Sequence, residues 1–228
     1  MNFDFSYKLF DGHLLAEIEQ HTMLIDTGAP CGFARFSPIK LGNREYQFAK
    51  NCMGLTTESL SKNVGCDVHA LIGADVLNNY DILIDPETGR LTFCEDKLPL
   101  KGQEIPVELF MGIPILEARI NGKPVRMFFD TGAKLSYLDE ELTSDFAAAG
   151  TAEDFYPTIG RFTTKVYEIS AELATDTIKL RAGNLPDLLQ MTLMMANTSG
   201  ILGTAILETH RVTYSPRREL MAIDRMKQ

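Results

Sequence analysis

One short motif occurs twice in this chain, each time at the end of an apolar strand. Residues 24–29 read LIDTGA and residues 128–133 read FFDTGA, 104 positions apart. A single D-T-G arises by chance in roughly one chain of this length in twenty, and by itself it marks a tight turn. Two copies in matching surroundings are a different matter. Upstream, KLFDGHLL from Lys8 matches ELFMGIPIL from Glu108. Downstream, residues 71–91 align without a gap on residues 201–221, placing Gly73 on Gly203, Leu77 on Leu207 and Pro86 on Pro216. A repeat of this kind decides the architecture before any local reading does. The chain reads as a tandem of two related domains, residues 1–97 and 104–228. They are joined near 95–105 (EDKLPLKGQEI), where proline, glycine and charges cluster.

The offset widens from 104 at the D-T-G to 130 at the later glycine, so the second copy holds 26 more residues between them. That is enough for a long hairpin with its connections. The segment DFYPTIGRFTTKVYEI reads as this hairpin, near 154–169, with a turn around Gly160-Arg161. Elsewhere the signals are short strands. LLAEIEQHTMLID and ILEARINGKPVRMFFD each read as two strands joined by a turn, the second through Asn121-Gly122. VYEISAEL, DILID and RLTF have strand composition. Two helices are expected, one in DEELTSDFAAA with Asp139 as N-cap and Gly150 as stop, the other in TTESLSKNV. The fold class is all-β.

With the residues laid out, the chain resembles the pepsin and retropepsin clan of aspartic peptidases. The resemblance rests on the paired apolar-apolar-D-T-G and on the later apolar-apolar-G of Leu71-Ile72-Gly73 and Ile201-Leu202-Gly203, and it spans nearly the whole chain. Alanine after the glycine (Ala29, Ala133) is similar to the retroviral type. Two such halves in one chain imply a pepsin-like bilobal pseudo-dimer of two retropepsin-like β-barrels, with Asp26 and Asp130 as the catalytic pair. By the same resemblance Thr27 and Thr131 exchange hydrogen bonds between the loops, with Gly28, Ala29, Gly132 and Ala133 completing the support. The hairpin of the second half becomes a flap, with Tyr156, Ile159, Gly160 and Phe162 as candidate substrate contacts. The first half departs from the retropepsin pattern, since residues 30–70 are too short for barrel strands and a full flap.

The chemistry explains why the motif must come twice. Hydrolysis by water needs one group to take a proton and another to give one. Two carboxyl groups a few ångströms apart share one proton, and their titration belongs to the pair. The sequence alone does not say which aspartate holds the proton. The implied activity is endopeptidase hydrolysis of an extended peptide bound by strand addition. The alternative is a catalytically silent peptide- or protein-binding module on the same fold.

Composition narrows the partners. Lys and Arg number 22 against 31 Asp and Glu, a formal charge of −9, which argues against nucleic acid. No apolar run approaches the ~18–20 residues that cross a bilayer, and no secretory signal is evident at the start. Cys31, Cys52, Cys66 and Cys94 lack C-x-x-C spacing and are expected as free thiols in a reducing cytoplasm. A zinc site from Cys66, His69, Cys52 and Cys94 is the weaker alternative. No metal or cofactor is expected, no activation step is foreseen, and a monomer suffices because both halves of the site lie in one chain.

Overall fold

Each D-T-G hangs from the end of an antiparallel hairpin, and the hairpins are built alike. His13–Ile18 pairs with His21–Ile25, and Ile113–Ile120 pairs with Lys123–Phe129 through the Asn121-Gly122 turn. In the computed structural model, which describes residues 1–156 and 160–227, the second strand of each hairpin also pairs in parallel with the apolar-apolar-glycine segment. Met23, Leu24 and Ile25 lie beside Ala70, Leu71 and Ile72. Met127, Phe128 and Phe129 lie beside Gly200, Ile201 and Leu202. Parallel strands need distant segments brought together by a crossover, so the loop after each aspartate is gripped by chain from far downstream. The Asp26 N–H donates to the Ile72 carbonyl (3.0 Å) and the Asp130 N–H to that of Leu202 (2.9 Å). Gly73 and Gly203 sit so close behind these loops that a Cβ would lie 2.9 Å from the Ala29 carbonyl oxygen and 2.6 Å from that of Ala133.

The protein is mostly β, in two large sheets and two short hairpins. The sheets do not divide where the sequence repeat divides. A ten-stranded sheet holds the first-half strands and also takes in His210–Ser215, Leu220–Arg225 and Gln103–Pro106. The stretch read as linker therefore ends as an edge strand. The join is the antiparallel pairing of Asp81–Asp85 with His210–Ser215, where Ile82 faces Tyr214, Leu83 faces Thr213 and Ile84 faces Val212. At the repeat offset of 130, this ladder is symmetric about Leu83 and Thr213.

Charges flank that ladder. Asp81 is 0% exposed and accepts from Arg217 (2.9 Å), Arg218 (2.7 Å), Ser215 (2.8 Å) and the Leu98 N–H (2.9 Å). On the other side Arg211 pairs with Glu87 (2.7 Å) and Asp224 (3.2 Å). Such a buried carboxylate is tolerated only because it is paired and fully hydrogen-bonded.

The eight-stranded sheet belongs to the second half, and its far end carries the 26 extra residues. Ala148–Tyr156 pairs with Gly160–Leu173, which continues along Asp176–Gly183. The first half has two stubs instead, Ile39–Leu41 with Arg44–Tyr46 and Asn51–Cys52 with Leu55–Thr56. The helix expected at TTESLSKNV forms at Thr57–Val64, capped by Thr56. The one expected from Asp139 to Gly150 is corrected: it lasts only Glu140–Thr143, and the chain is in strand from Ala148. Pairing with the long strand outweighs the helix preference of the alanines.

Candidate active site

The two D-T-G loops meet at the interface of the halves through the threonines. Thr27 Oγ1 donates to the Phe129 carbonyl (2.7 Å) and accepts from the Thr131 N–H (3.0 Å). Thr131 Oγ1 donates to the Ile25 carbonyl (2.6 Å) and accepts from the Thr27 N–H (3.1 Å). Both threonines are buried, so six polar groups that would each cost ~1–3 kcal/mol unpaired satisfy one another through four hydrogen bonds.

This lock sets the Asp26 and Asp130 carboxyl groups side by side, each against the other loop's glycine. Each carboxyl accepts from the glycine N–H two residues on, Gly28 to Asp26 at 2.9 Å and Gly132 to Asp130 at 2.8 Å. The glycines are needed for a closer reason than turn geometry. A Cβ on Gly28 would lie 2.2 Å from the Asp130 carboxyl carbon, and one on Gly132 would lie 2.5 Å from that of Asp26. Each loop leaves room for the other loop's carboxylate. Burial pushes both aspartates above the ordinary carboxylate value. For Asp26 the neighbouring Asp130 charge adds to burial in the same direction.

The pair forms the floor of a cavity of about 140 Å³. One wall is apolar side chains of the first half, Leu24, Phe33, Leu55, Leu60 and Leu71; the other is Tyr137, Leu185 and Ile201. The hairpin of the second half closes over the top with Asp154, Phe155, Tyr156 and Phe162. Phe155 packs against the first-half cluster, the Tyr137 hydroxyl donates to buried Asp154, and Arg161 reaches the Lys62 carbonyl (3.4 Å). A larger groove of about 770 Å³ runs past Leu9, Glu168 and Arg181, but it contains neither aspartate.

Of the hairpin candidates, Tyr156 and Phe162 face the cavity. Gly160 is exposed at the strand start with φ +82°, and Ile159 lies outside the described residues. Burial first, and then the two carboxylates, push the Tyr156 phenol up, so it stays a hydrogen-bond donor. Sequence reasoning missed His13, Tyr137, Asp154 and Phe155. The signal for His13 was the repeat itself, which sets this imidazole against Ile113.

The cysteine expectation is corrected in part. Cys31, directly after the first loop, is disulfide-bonded to Cys52 of the stub hairpin, and only Cys66 and Cys94 are free. The pairing removes Cys52 from the zinc set considered above.

The comparisons with known proteins follow this geometry. Residues 116–209 match a family model described as "gag-polyprotein putative aspartyl protease". The resemblance is to aspartic peptidases of the retropepsin type. The matched span runs from the strand before the second D-T-G to just beyond the later glycine, so it supports a protease in general terms. No curated protein matches. Among solved structures, the solution structure of the simian foamy virus (mac) protease is 19% identical with a TM-score of 0.30, covering 39% of this chain and 86% of that one. A retropepsin-like aspartic protease from Rickettsia conorii is 17% identical with a TM-score of 0.38, covering 56% and 95%.

Proposed function

We propose that this chain is an aspartic endopeptidase with Asp26 and Asp130 as its catalytic pair. The observation that carries the reading is the pair itself: two carboxyl groups side by side on the floor of an apolar cavity, each tied to its own glycine N–H. With one proton between them, the ionised member takes a proton from water as its oxygen attacks the scissile carbonyl carbon. The protonated member gives its proton to the carbonyl oxygen. The resulting gem-diol collapses as a proton passes to the amide nitrogen, and the carbon–nitrogen bond breaks.

The substrate class follows from the walls. Leu24, Leu71 and Phe33 on one side and Tyr137 and Ile201 on the other suit apolar side chains flanking the cleaved bond. At about 140 Å³ the cavity is below the ~300–1,000 Å³ of usual ligand sites, so admitting an extended peptide requires the hairpin to lift. One chain supplies both carboxylates, through domains at 1–97 and 104–228, so a monomer is the proposed active form. Among the described residues no helix is long and apolar enough to cross a membrane. The Cys31–Cys52 bond weighs against the reducing cytoplasm expected from the cysteine spacing.

The deciding experiment is digestion of an unfolded protein by the wild-type chain and by Asp26→Asn and Asp130→Asn separately. Cleavage lost by ~10³-fold or more in each variant, with circular dichroism unchanged, is the expected result. Binding of peptide without cleavage by the wild type would favour the silent binding module.

A further inference from the structure

The contacts that join the loops by their threonines are symmetric, but one contact to the second loop has no counterpart. His13 is 3% exposed and its Nδ1 lies 2.6 Å from the carbonyl oxygen of Gly132. A carbonyl only accepts, so Nδ1 carries the hydrogen and donates. The same turn is held to the second loop by Thr204 Oγ1 donating to the Gly12 carbonyl (2.6 Å) and by the Lys134–Asp11 ion pair (3.2 Å). At the repeat offsets, Ile113 stands for His13, Ala74 for Thr204, and Pro30 and Met111 for Lys134 and Asp11. None of those four side chains can make the matching bond.

The contact bears on one aspartate. Gly132 is the residue whose N–H donates to the Asp130 carboxyl (2.8 Å), and the Ala133 N–H closes the same turn on the Asp130 main-chain carbonyl (3.4 Å). The imidazole donor therefore fixes the residue that holds this carboxyl and sets the positive end of an N–H dipole beside the second loop. Both effects favour an ionised carboxylate there. The equivalent peptide after Gly28 has apolar Ile113 in place of the imidazole.

Resting on the peptidase reading, we infer that His13 is a positioning residue that breaks the symmetry of the pair, placing the negative charge on Asp130 and the shared proton on Asp26. Asp130 then activates water and Asp26 polarises the scissile carbonyl. The other titratable groups around the ring are Asp26, Tyr137, and Asp154 and Tyr156 of the hairpin, with the Lys134–Asp11 pair adjoining and Lys62, Glu153 and Arg161 beyond it.

The test compares His13→Leu, which loses the donor, with His13→Asn, which keeps one without a titrating ring. Loss of the donor raises the pH at which Asp130 takes its proton, so the acidic limb of the kcat/KM profile in His13→Leu moves up by ~0.5–1 unit with KM unchanged. His13→Asn and the counterpart control Ile113→Leu stay on the wild-type limb. A His13→Leu limb superimposed on wild type, or an asparagine variant that behaves like leucine, overturns the inference. Carboxyl ¹³C titration by NMR reads the same assignment without turnover and needs only the wild-type chain. Asp130 ionising before Asp26 is expected, and the reverse order overturns it. A wild-type chain that hydrolyses nothing yet shows this order would sink the peptidase reading and leave the charge assignment standing.

Discussion

The two halves differ least where they touch and most where they cover the cleft. Across the interface, the paired distances of the loops agree within about 0.1 Å: 2.9 and 2.8 Å from glycine to carboxyl, 2.7 and 2.6 Å from threonine to carbonyl. Above the cleft, the first half has the two-residue strands of Asn51–Cys52 and Leu55–Thr56, and the second has a hairpin from Ala148 to Leu173. Shared chemistry accounts for this. Two carboxyl groups must meet in one geometry, so neither loop can drift without the other. A cover is needed only once, so the first half could lose its own.

The disulfide offers the sharpest way to break the comparison. It holds the first loop to its stub, a task that in the second half falls to the long hairpin and the Thr204 and Lys134 contacts. Closing 21 residues of separation, the bond should contribute about 3 kcal/mol in the chain-entropy account. Cys31→Ser with Cys52→Ser should lower the free energy of unfolding by that amount and the denaturation midpoint with it, while Cys66→Ser should leave both alone. Equal midpoints for all three would mean that the stub is held by packing.

The threonines test the symmetric part. Thr27→Val and Thr131→Val each strand a buried N–H and a buried carbonyl, so each should cost about 2 kcal/mol, and the two costs should match. A clear inequality in urea titrations would show that one half carries the interface. The hairpin comes next. Asp154→Asn weakens its tie to Tyr137 and should change kcat/KM about tenfold, or ~1.4 kcal/mol, with little change in stability. Substituting exposed Met53 at the tip of the stub should change it far less.

The smallest effect concerns pH. The competent pair holds one proton, and the acidic limb of activity marks binding of the second. Both carboxyl groups are raised by burial, so that limb lies above the ordinary carboxylate range. Ala29→Ser or Ala133→Ser adds a hydroxyl that can bond the ionised form, and should move the limb down by ~0.5 unit. The same raised values give stability a sign. The pair's contribution is whole below the unfolded carboxylate value and is lost as pH rises through the folded one. Asp26→Asn should therefore be more stable than wild type at neutral pH, as a urea titration would show.

What could be read from the sequence was what the backbone demands locally. The D-T-G loops, the Asn121-Gly122 turn and the strands before each aspartate each follow from neighbouring residues. Contacts between distant residues left no such trace. Cys31 and Cys52 meet only because the stub folds over the loop, and His13 reaches Gly132 across 119 positions. The alanines at 147–149 carried a helix preference that a strand partner overrode. The surplus of 26 residues announced the hairpin of Ala148–Tyr156 and Gly160–Leu173.

The charges beside the central ladder decide which half fits which. Asp81 and Arg211 occupy one repeat position, and Glu87 and Arg217 another. Across the join the bonds run Asp81 to Arg217 and Arg211 to Glu87. Were a first half to dock on another first half, Asp81 would confront Glu87; two second halves would set Arg211 against Arg217. Either match leaves a charge without its counter-ion, a defect of about 3–5 kcal/mol when the group is buried. Across this join each half therefore fits the other and does not fit a copy of itself.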